Sequence, residues 1–427
     1  MTEYTAQAEY HDLESVRVHS PGFETFAGII DPEPNLFRSN FSIEAAQAEH
    51  QRVVNTLQDE GVEVHYLEEN IASGNQFKSL LEEVEIDFEN IDETRQDDIA
   101  KQIRSQLQSL ADSEKLQLVA CQTTIVRHGD SIDGDSETQL SGIQGDRIDK
   151  SSLHFAEPLS NLYFQRDPQI VTAEGPVLAS PAFSTRQGEV DIARAAWEGI
   201  AGSIVCDVPA DLHIEGGDYI PCGDFGLVGI APTEGNENKQ LRTSLEAAEY
   251  LLDHDAFGHD VVGLVEAPYD ADKESHRENG KDVESAMEIM HLDTWFNVAA
   301  DGIAVGREKL VNNTTIHVYE TDETGYTKQQ EMNFGDFLRA RDYTIIPVEY
   351  EERAIATNFL TLGDGKVLAA CFADDNGNPD TERNKTIERM KDAGIEVVPD
   401  GKGLPISELR SGYGGIHCMT TPLNRRS

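Results

Sequence analysis

Hydrophobic residues near the N-terminus change from strand-like to helical spacing within a short distance. The stretch SVRVHSPG alternates apolar and polar residues and ends in a turn, which predicts a strand. In SIEAAQAEHQRVVNTLQDEG, apolar residues recur at helical spacing after Ser42, a good N-cap, and Gly61 ends the predicted helix. The apolar stripe consists of Ala46, Val53, Val54 and Leu57. VEVHYL then predicts a second strand, so this region forms a strand–helix–strand unit.

The pattern changes between residues 76 and 150. FKSLLEEVEIDFENIDETRQDDIAKQIRSQLQSLADSEKLQ places apolar residues three and four positions apart, which predicts helices. The stretch RHGDSIDGDSETQLSGIQGDRIDKSS is polar and contains glycines, as expected of a linker or a mobile loop. We therefore predict that 76–150 is a mostly helical insertion within a larger α/β body.

Four later stretches share one pattern. They are NLYFQRDPQIVTAEGPVLASP, EGGDYIPCGDFGLVGIA, LDTWFNVAADGIAVG and TNFLTLGDGKVLAACF. Each begins with a short polar or aromatic strand, turns at Gly or Asp, and ends in an apolar strand, which predicts a β-hairpin. Helical stretches such as TSLEAAEYLLDHDA and TERNKTIERMKDAG fall between them. Repeated hairpin-plus-helix units favour a closed radial array, a propeller, with a doubly wound sheet as the competing interpretation.

The strongly negative charge of the chain indicates where the protein works and which partners are excluded. The 427 residues include 79 acidic and 34 basic side chains, a net charge of −45, and the acidic residues are spread along the whole length. Such self-repulsion opposes a compact state in dilute buffer, whereas molar salt shortens the Debye length to roughly 3 Å. The sequence therefore predicts a halophilic protein that has neither nucleic acid nor an anionic membrane as a partner. The acidic, polar N-terminus and the lack of an 18-residue apolar run predict a soluble, cytoplasmic protein.

Five cysteines occur at wide spacings and without a CxxC motif, so neither a disulfide framework nor a zinc ribbon is expected. Four of them lie in apolar or loop contexts typical of packing residues: Cys121, Cys206, Cys222 and Cys371. The fifth, Cys418, follows two glycines in GGIHCMTTPL, close to the C-terminus. Taken alone, Cys418 also fits a packing role better than a nucleophile.

The polar beginnings of the predicted hairpins carry the candidate chemistry. They contain Asp167, Glu215, Asp218, His291 and Asp293. On a strand, the two charged residues of HLD share one face, and the glycines of EGGD permit a tight turn or close approach to a ligand. Each residue alone is more typical of a structural role, and the His and acidic residues could also ligate a divalent ion.

Together with a cysteine, the same residues suit chemistry on a guanidinium group. Paired carboxylates bind a planar cation, a thiolate attacks its central carbon, and a histidine transfers the protons. The positive charge of the substrate would also lower the pKa of the thiol.

Four short motifs in the chain resemble the signatures of a known family. NLYFQRDP, EGGD, HLDT and GGIHCMTTP resemble, in order, the four signatures of the arginine deiminase family of guanidino-group-modifying enzymes, and EAAQAEHQRVVNTLQDEGVEVHYL resembles its N-terminal unit. The resemblance covers nearly the whole chain. It implies one catalytic domain, residues 1–427, folded as a pseudo-fivefold α/β propeller of ββαβ-type modules with a helical insertion in the first third. It further implies hydrolysis of L-arginine to L-citrulline and ammonia without a cofactor, by a homo-oligomer.

The resemblance also implies roles for individual residues. Cys418 would be the nucleophile that forms an S-alkylthiouronium intermediate, and His291 the general acid and then the general base. The carboxylates of Asp167 and Asp293 would hold the guanidinium, while Glu215 would orient His291. Residues at the remaining substrate-binding positions are Asn161, Arg186, Arg242, Asp218 and Gly415.

Three departures from the family pattern leave the exact guanidino substrate open. Arg242 matches a substrate-binding arginine only if a short acidic insertion precedes it. Tyr413 stands where an arginine is common, five residues before the cysteine, and LFRSN has Arg38 where an acidic residue is expected after Phe37. An arginine dihydrolase, a hydrolase of methylated or decarboxylated arginine, and an amidinotransferase therefore stay as alternatives.

Overall fold

The computed structural model of the chain describes residues 4–129, 150–233, 242–281 and 286–427. The polar segment predicted as a linker or loop lies almost entirely outside the described residues. The acidic stretch that precedes Arg242 also lies outside them.

Short strands make up most of the sheet structure. The strands are β1 (Asp12–Val18), β2 (Glu63–Tyr66), β3 (Glu85–Glu89), β4 (Thr123–His128), β5 (Lys150–Phe155), β6 (Gln169–Val171), β7 (Pro176–Leu178), β8 (Cys206–Asp207), β9 (Tyr219–Pro221), β10 (Phe225–Ile230), β11 (Val261–Glu266), β12 (Phe296–Ala300), β13 (Ile303–Gly306), β14 (Thr315–Asp322), β15 (Gly325–Asn333), β16 (Thr344–Pro347), β17 (Leu360–Gly363), β18 (Lys366–Leu368), β19 (Ala370–Cys371), β20 (Glu396–Val398), β21 (Leu404–Pro405) and β22 (Thr421–Arg426).

Helices connect these strands. They are α1 (Phe23–Ile29), α2 (Ile43–Asp59), α3 (Leu67–Ser73), α4 (Phe77–Glu82), α5 (Glu93–Gln108), α6 (Asp112–Ala120), α7 (Ser184–Gln187), α8 (Glu189–Gly199), α9 (Leu245–Asp253), α10 (Tyr269–Glu278), α11 (Glu308–Val311), α12 (Phe334–Arg339), α13 (Arg353–Thr357) and α14 (Lys385–Asp392). In the described part of the chain, none of them combines the length and apolar character needed to cross a bilayer.

The predicted N-terminal unit is confirmed. The side chain of Ser42 caps α2 by accepting a hydrogen bond from the Ala45 amide at 3.2 Å, and Gly61 leaves the helix with φ of +84°. The predicted apolar stripe is buried: Ala46, Val53, Val54 and Leu57. Strand β2 pairs in parallel with β1, as expected of two strands joined by a crossover helix.

Five units with one connectivity build the body of the protein. In each, two strands pair antiparallel, and the second pairs in parallel with a third strand that follows a helix. The units are β6–β7–β8, β9–β10–β11, β12–β13–β16, β17–β18–β20 and β22–β1–β2. The first two strands of the first four units are the four predicted hairpins, and the α/β fold class is confirmed. Because the units form separate sheets, the competing prediction of one doubly wound sheet is wrong.

Hydrogen bonds join each unit to the next and return from the last to the first. They run from the segments just before or within the first strand of each unit. The bonds are Gly216 N to Asp167 O, Leu292 N to Asp218 Oδ1, Asn297 Nδ2 to Phe359 O, His417 N to Asn358 O, and Arg166 N to Cys418 O. The polar beginnings of the hairpins therefore meet at the centre of a closed, pseudo-fivefold arrangement.

Two features differ from the prediction. The segment 76–150 contains α4, α5 and α6, but also β3 and β4, which form a three-stranded sheet with β5 that extends to Phe155. The alternation in EIDFE was hidden in an acidic stretch whose overall spacing is helical, since short runs fit both periods. In addition, the hairpin β14–β15 extends the sheet of the second unit to five strands, which the sequence analysis did not predict.

Candidate active site

A small cavity lies where the beginnings of the hairpins converge. Its lining combines a thiol, a carboxylate, an amide, two guanidinium groups and apolar side chains. The lining residues are Leu36, Asn161, Phe164, Asp167, Arg186, Arg242, Met287, Met290, Gly412, Gly414 and Cys418. The cavity therefore contains five of the residues selected from the sequence.

Cys418 is held at this cavity by an amide that the sequence analysis missed. The side-chain oxygen of Asn358 accepts hydrogen bonds from the Gly415 and Cys418 amides at 2.8 and 3.1 Å. Its nitrogen donates to the Cys418 sulfur at 3.1 Å. Cys418 is only 1% exposed, so this clamp, rather than solvent, sets the position of the thiol. Gly415 acts here through its backbone and does not line the cavity.

The surroundings of Cys418 favour the neutral thiol. Burial raises the pKa of Cys418 well above its ordinary value, and the negative charges of Asp293 and Asp167 raise it further. The hydrogen bonds from Gly415 and Asn358 oppose this shift only in part. A cation bound between the two carboxylates would neutralise them and lower the pKa of the thiol, so ionisation is coupled to occupancy of the cavity.

His291 lies between two carboxylates. Its Nε2 is 2.9 Å from Oε2 of Glu215, and its Nδ1 is 3.7 Å from Oδ1 of Asp167. Burial disfavours the imidazolium, but the charge of Asp167 and the hydrogen bond with Glu215 outweigh it and raise the pKa of His291 to about 9. The ring is therefore protonated at neutral pH and can donate a proton.

The glycines of EGGD are required by close packing rather than by a ligand. A Cβ on Gly216 would lie 2.1 Å from the carbonyl oxygen of Arg166. A Cβ on Gly217 would lie 2.5 Å from Nδ1 of His291. The first glycine lets two units approach each other, and the second leaves room for the imidazole.

Two arginines that line the same cavity pair with the buried carboxylates. Nη1 of Arg242 donates to both oxygens of Glu215, at 3.1 and 2.8 Å. Arg186 donates through Nε and Nη2 to Glu189 and through Nη1 to Asp167, the last at 2.6 Å. Burial opposes the charge of Glu215, yet Arg242 and His291 keep its pKa well below the usual range. These pairs hold Glu215 ionised and fix the orientation of Asp167.

Asp293 is positioned by a second group that the sequence analysis missed. Its Oδ2 accepts a hydrogen bond from Nδ1 of His417 at 2.8 Å and lies 3.5 Å from the Cys418 sulfur. Nε2 of His417 is 3.3 Å from Glu9, which in turn pairs with Arg425. Burial raises the pKa of Asp293, but the bond from His417 outweighs it and the pKa is lowered. Asp293 is therefore a fixed anion beside the thiol.

Three buried polar atoms around the thiol have no hydrogen-bond partner among the described residues. They are Oδ1 of Asp167, Oδ1 of Asp293 and Nδ1 of His291. Buried polar atoms are normally paired, and two carboxylate oxygens left open next to a protonated imidazole match the donors of a planar cation. The site can therefore hold a guanidinium group against the sulfur.

Asp218 and Asn161 have different surroundings. Asp218 does not line the cavity, and instead its carboxylate accepts bonds from the Leu292 amide at 2.8 Å and the Thr243 hydroxyl at 2.6 Å. Burial raises the pKa of Asp218 to about 7, with a further contribution from Asp293. Asn161 lines the cavity and donates to the Asn35 carbonyl at 2.9 Å.

Replacing Asp218 by alanine should lower activity on the order of 10²-fold, because the Leu292 amide loses its acceptor and the adjoining His291 shifts. Asp218→Asn is the matched control, since its amide oxygen can still accept from Leu292. Steady-state kinetics and thermal unfolding of both variants test the positioning role. Equal activity of Asp218→Ala and the parent protein would contradict it.

Of the three site residues that the sequence did not predict, Asn358 could have been identified from the hairpin pattern, whereas Glu9 and His417 could not. Asn358 begins the fourth hairpin, TNFLTL, at the position that Asp167, Glu215 and Asp293 occupy in the others, so the same rule would have found it. Glu9 lies outside the hairpin beginnings, and His417 precedes β22, whose partner strand β1 is at the other end of the chain, so neither belongs to one of the four hairpins visible in the sequence. Their part in the site depends on contacts across 408 positions of the chain, which no local pattern reports.

Comparison with known proteins agrees with this geometry. A family model described as "Arginine deiminase" matches residues 35–425. The arginine deiminase of Halobacterium salinarum is 37% identical over 481 residues, covering 99% of this chain and 97% of that protein. The arginine deiminase of Staphylococcus haemolyticus is 24% identical, covering 98% of this chain and 97% of that protein.

Solved structures show the shared fold. The N-terminal domain of ArgZ, an arginine dihydrolase from Cyanobacteria, has a TM-score of 0.53 at 14% identity and covers 96% of this chain and 98% of that chain. SxtG, an amidinotransferase from Microseira wollei, has a TM-score of 0.51 at 14% identity and covers 99% of this chain and 98% of that chain. With a family model that matches residues 35–425 and a relative that is 37% identical across 99% of the chain, the chain belongs to the arginine deiminase family.

Proposed function

We propose that the protein hydrolyses L-arginine to L-citrulline and ammonia, with Cys418 as the nucleophile. The observation that carries the proposal is the set of open atoms beside the thiol: one oxygen each of Asp167 and Asp293, and Nδ1 of His291. These groups suit a guanidinium held by two carboxylates and attacked by sulfur. Membership of the arginine deiminase family and the name of the Halobacterium relative support the same reaction.

The first half of the reaction removes ammonia. Binding of the guanidinium between Asp167 and Asp293 lowers the pKa of Cys418, whose proton passes to solvent. The thiolate adds to the central carbon and forms a tetrahedral adduct. The imidazolium of His291 then protonates one terminal nitrogen, the C–N bond breaks, and ammonia leaves. A positively charged S-alkylthiouronium group stays on Cys418.

The second half consumes water. His291, now neutral, takes a proton from a water molecule, and the hydroxide adds to the same carbon. The C–S bond breaks, the thiolate of Cys418 leaves, and the oxygen-bound proton passes to solvent as the ureido group of citrulline forms. Glu215 keeps the imidazole oriented through both steps, since it holds Nε2 while Nδ1 faces the reaction.

The rest of the substrate lies along the cavity toward Asn161. We propose Asn161 and Arg242 as contacts of its amino-acid end, because both line the cavity. Arg186 also lines it, but Asp167 and Glu189 occupy its donors, so we assign it to holding Asp167. Asp218 and Gly415 act behind the site, through the Leu292 and Asn358 contacts. We further propose a single catalytic domain that works as a cytoplasmic homo-oligomer.

A metal site is the weaker interpretation of the same residues. One ligand atom each of Asp167, Glu215 and His291 lie within 4.8 Å of one another. However, Nη1 of Arg242 is 2.8 Å from Glu215 and Nη1 of Arg186 is 2.6 Å from Asp167, and these positive charges oppose a cation there. Activity retained in strong chelator would support guanidinium binding by these residues. Loss of activity that a divalent ion restores would favour the metal site.

A colorimetric citrulline assay at high salt tests the proposal. L-Arginine should yield one citrulline and one ammonia per turnover, without an added amine. Ornithine with two ammonias would identify a dihydrolase, and a requirement for an acceptor amine would identify an amidinotransferase. Turnover of agmatine but not of L-arginine would identify a hydrolase of decarboxylated arginine and contradict the proposal.

The net charge of −45 predicts that the protein needs salt. At about 0.1 M salt the Debye length is about 10 Å, so neighbouring carboxylates repel one another, whereas at about 1 M it is about 3 Å. We expect dilution from molar salt to unfold or inactivate the enzyme. Circular dichroism and activity along a salt series measure this, and equal stability and activity in dilute buffer would contradict a halophilic adaptation.

A further inference from the structure

A cleft of about 360 Å³ lies between the insertion and the body of the protein. The insertion lines it with residues from 80–85 and 119–124, and the body lines it with residues from 188–192, at the start of α8. Among the described residues, this lining shares no member with the cavity at Cys418. The insertion cleft is therefore a separate concavity, and its volume is within the range of small-molecule sites.

The floor of the insertion cleft is apolar. Leu80, Leu159 and Ile192 line it and belong to one buried hydrophobic cluster that joins the insertion to α8. Val84 and Val119 extend the same surface. A hydrocarbon chain lying on this floor would remove apolar area of both partners from water, which favours binding.

The rim of the insertion cleft is negatively charged. It carries the carboxylates of Glu83, Glu85 and Asp191, and none of the described residues that line the cleft is Lys, Arg or His. Within the part of the chain that the structure describes, these three carboxylates form no ion pair. They suit a cation, but acidic residues are abundant in this chain, so the rim alone does not identify a site.

Thr123 gives independent support for a ligand. Its side chain lines the cleft, the residue is only 3% exposed, and its hydroxyl has no hydrogen-bond partner among the described residues. Buried hydroxyls are normally paired. The next residue along β4, Thr124, is paired, since its hydroxyl donates to Glu85 at 3.1 Å. A ligand that donates an N–H to Thr123 would supply the missing partner.

The insertion cleft borders the segment that positions Asp167. Gly188 and Asp191 line the cleft, and Glu189 lies between them in the chain. Glu189 accepts hydrogen bonds from Arg186 at 3.0 and 2.7 Å, and Nη1 of Arg186 donates to Asp167 at 2.6 Å. A ligand seated against the start of α8 would therefore restrict the movement of Arg186 and of the Asp167 carboxylate that it holds.

We propose that the insertion cleft is an effector site for an aliphatic amine, a hydrocarbon chain that carries one or two ammonium groups. An ammonium group has three rotatable donors, which suit a hydroxyl and separate carboxylates better than a planar guanidinium does. Occupancy favours the arrangement in which Arg186 holds Asp167, so it lowers KM for L-arginine. Binding of the amine is independent of the proposed function, whereas its effect on KM rests on that function.

High salt makes both parts of the ligand necessary. At molar salt a charge is screened within roughly 3 Å, so attraction to the rim acts only at contact distance. An ammonium ion without a chain gains nothing from the apolar floor, and an alcohol without a charge gains nothing from the rim. We therefore expect 1,4-diaminobutane, which carries two ammonium groups at pH 7, to bind more tightly than ammonium chloride or 1-butanol.

Calorimetric titration of the full chain with 1,4-diaminobutane at molar salt and pH 7 tests the site. Asp191→Asn and Glu85→Gln should each weaken binding about 10-fold or more, the loss typical of a hydrogen bond to a charged group. Thr123→Val should also weaken binding, but it should leave the Tm of the ligand-free protein unchanged because the hydroxyl has no partner to lose. Asp253→Asn is the matched control, since Asp253 is an exposed carboxylate on α9 that does not line the cleft.

Kinetics with and without 1,4-diaminobutane test the effect on catalysis. In the parent protein and in Asp253→Asn, KM for L-arginine should fall about 5-fold or more when the amine is present, a typical coupling between two sites. In Asp191→Asn the amine should have a much smaller effect at the same concentration. Binding that leaves KM unchanged would overturn the effector role.

Two further outcomes would overturn the site itself. One is an affinity for 1,4-diaminobutane no greater than that for ammonium chloride. The other is binding that is lost in Asp293→Asn but kept in Asp191→Asn, which would place the amine beside Cys418. If the parent protein bound the amine through Asp191 and Thr123 but did not turn over L-arginine, the proposed function would fail while the amine site would be supported.

Discussion

Replacing Cys418 by serine should lower turnover of L-arginine by at least about 10⁴-fold, the loss seen when a nucleophile is removed. Burial, Asp293 and Asp167 already raise the pKa of the thiol, and in the proposed reaction its ionisation depends on the cation of the substrate. A serine hydroxyl ionises far less readily than a thiol, so the same cation would not suffice. The fold should persist, since the Asn358 amide can donate to a hydroxyl as it donates to the sulfur.

The citrulline assay and mass spectrometry of acid-quenched enzyme measure the effect of Cys418→Ser. The parent protein should show the mass of the thiouronium adduct, and the variant should not. Cys206→Ser is a suitable control, because Cys206 is also a free buried thiol but lies on β8, away from the cavity. Substantial activity in Cys418→Ser would refute covalent catalysis by this thiol.

Replacing His291 by alanine should lower kcat by about 10²- to 10⁴-fold, the contribution of a general acid and base. Both halves of the proposed reaction pass a proton through His291. Since its pKa is raised to about 9, activity of the parent protein should fall as pH rises through about 9 and the imidazolium is lost. A pH–rate profile without this alkaline limb would contradict the role of the imidazolium.

The free energy of unfolding should also change as His291 titrates. The folded pKa of about 9 lies above the ordinary value of 6.5, so protonated His291 stabilises the fold fully below pH 6.5. That contribution is lost as pH rises through about 9, and it should be absent in His291→Ala. Thermal unfolding from pH 6 to 10 measures the difference. His317→Ala, a buried histidine bonded to Glu266 at 2.8 Å on another sheet, is the matched control.

The sequence predicted the repeated part of the fold because that part is encoded locally. Alternating strands, glycine turns and helical stripes report which face of each element is buried, and all four hairpins and α2 formed where expected. Strand β3 of the insertion was missed because its sequence, EIDFE, lies in an acidic stretch whose mixed spacing fits a helix and a strand equally well. In the hairpin β14–β15, strand β15 has no buried residue, so hydrophobic spacing gave little indication of a strand there.

The sequence by itself determined which chemical groups are available and, through the hairpin beginnings, that Asp167, Glu215, His291 and Asp293 would be near one another. Only the tertiary structure decided how each group is held. The Asn358 clamp on Cys418, the bond from His417 to Asp293, and the contact of Arg38 with Tyr413 all cross between segments that are distant in the chain. Hydrogen bonds and ring contacts of this kind depend on distances of a few ångströms set by the closure of five units, and hydrophobic periodicity does not encode those distances.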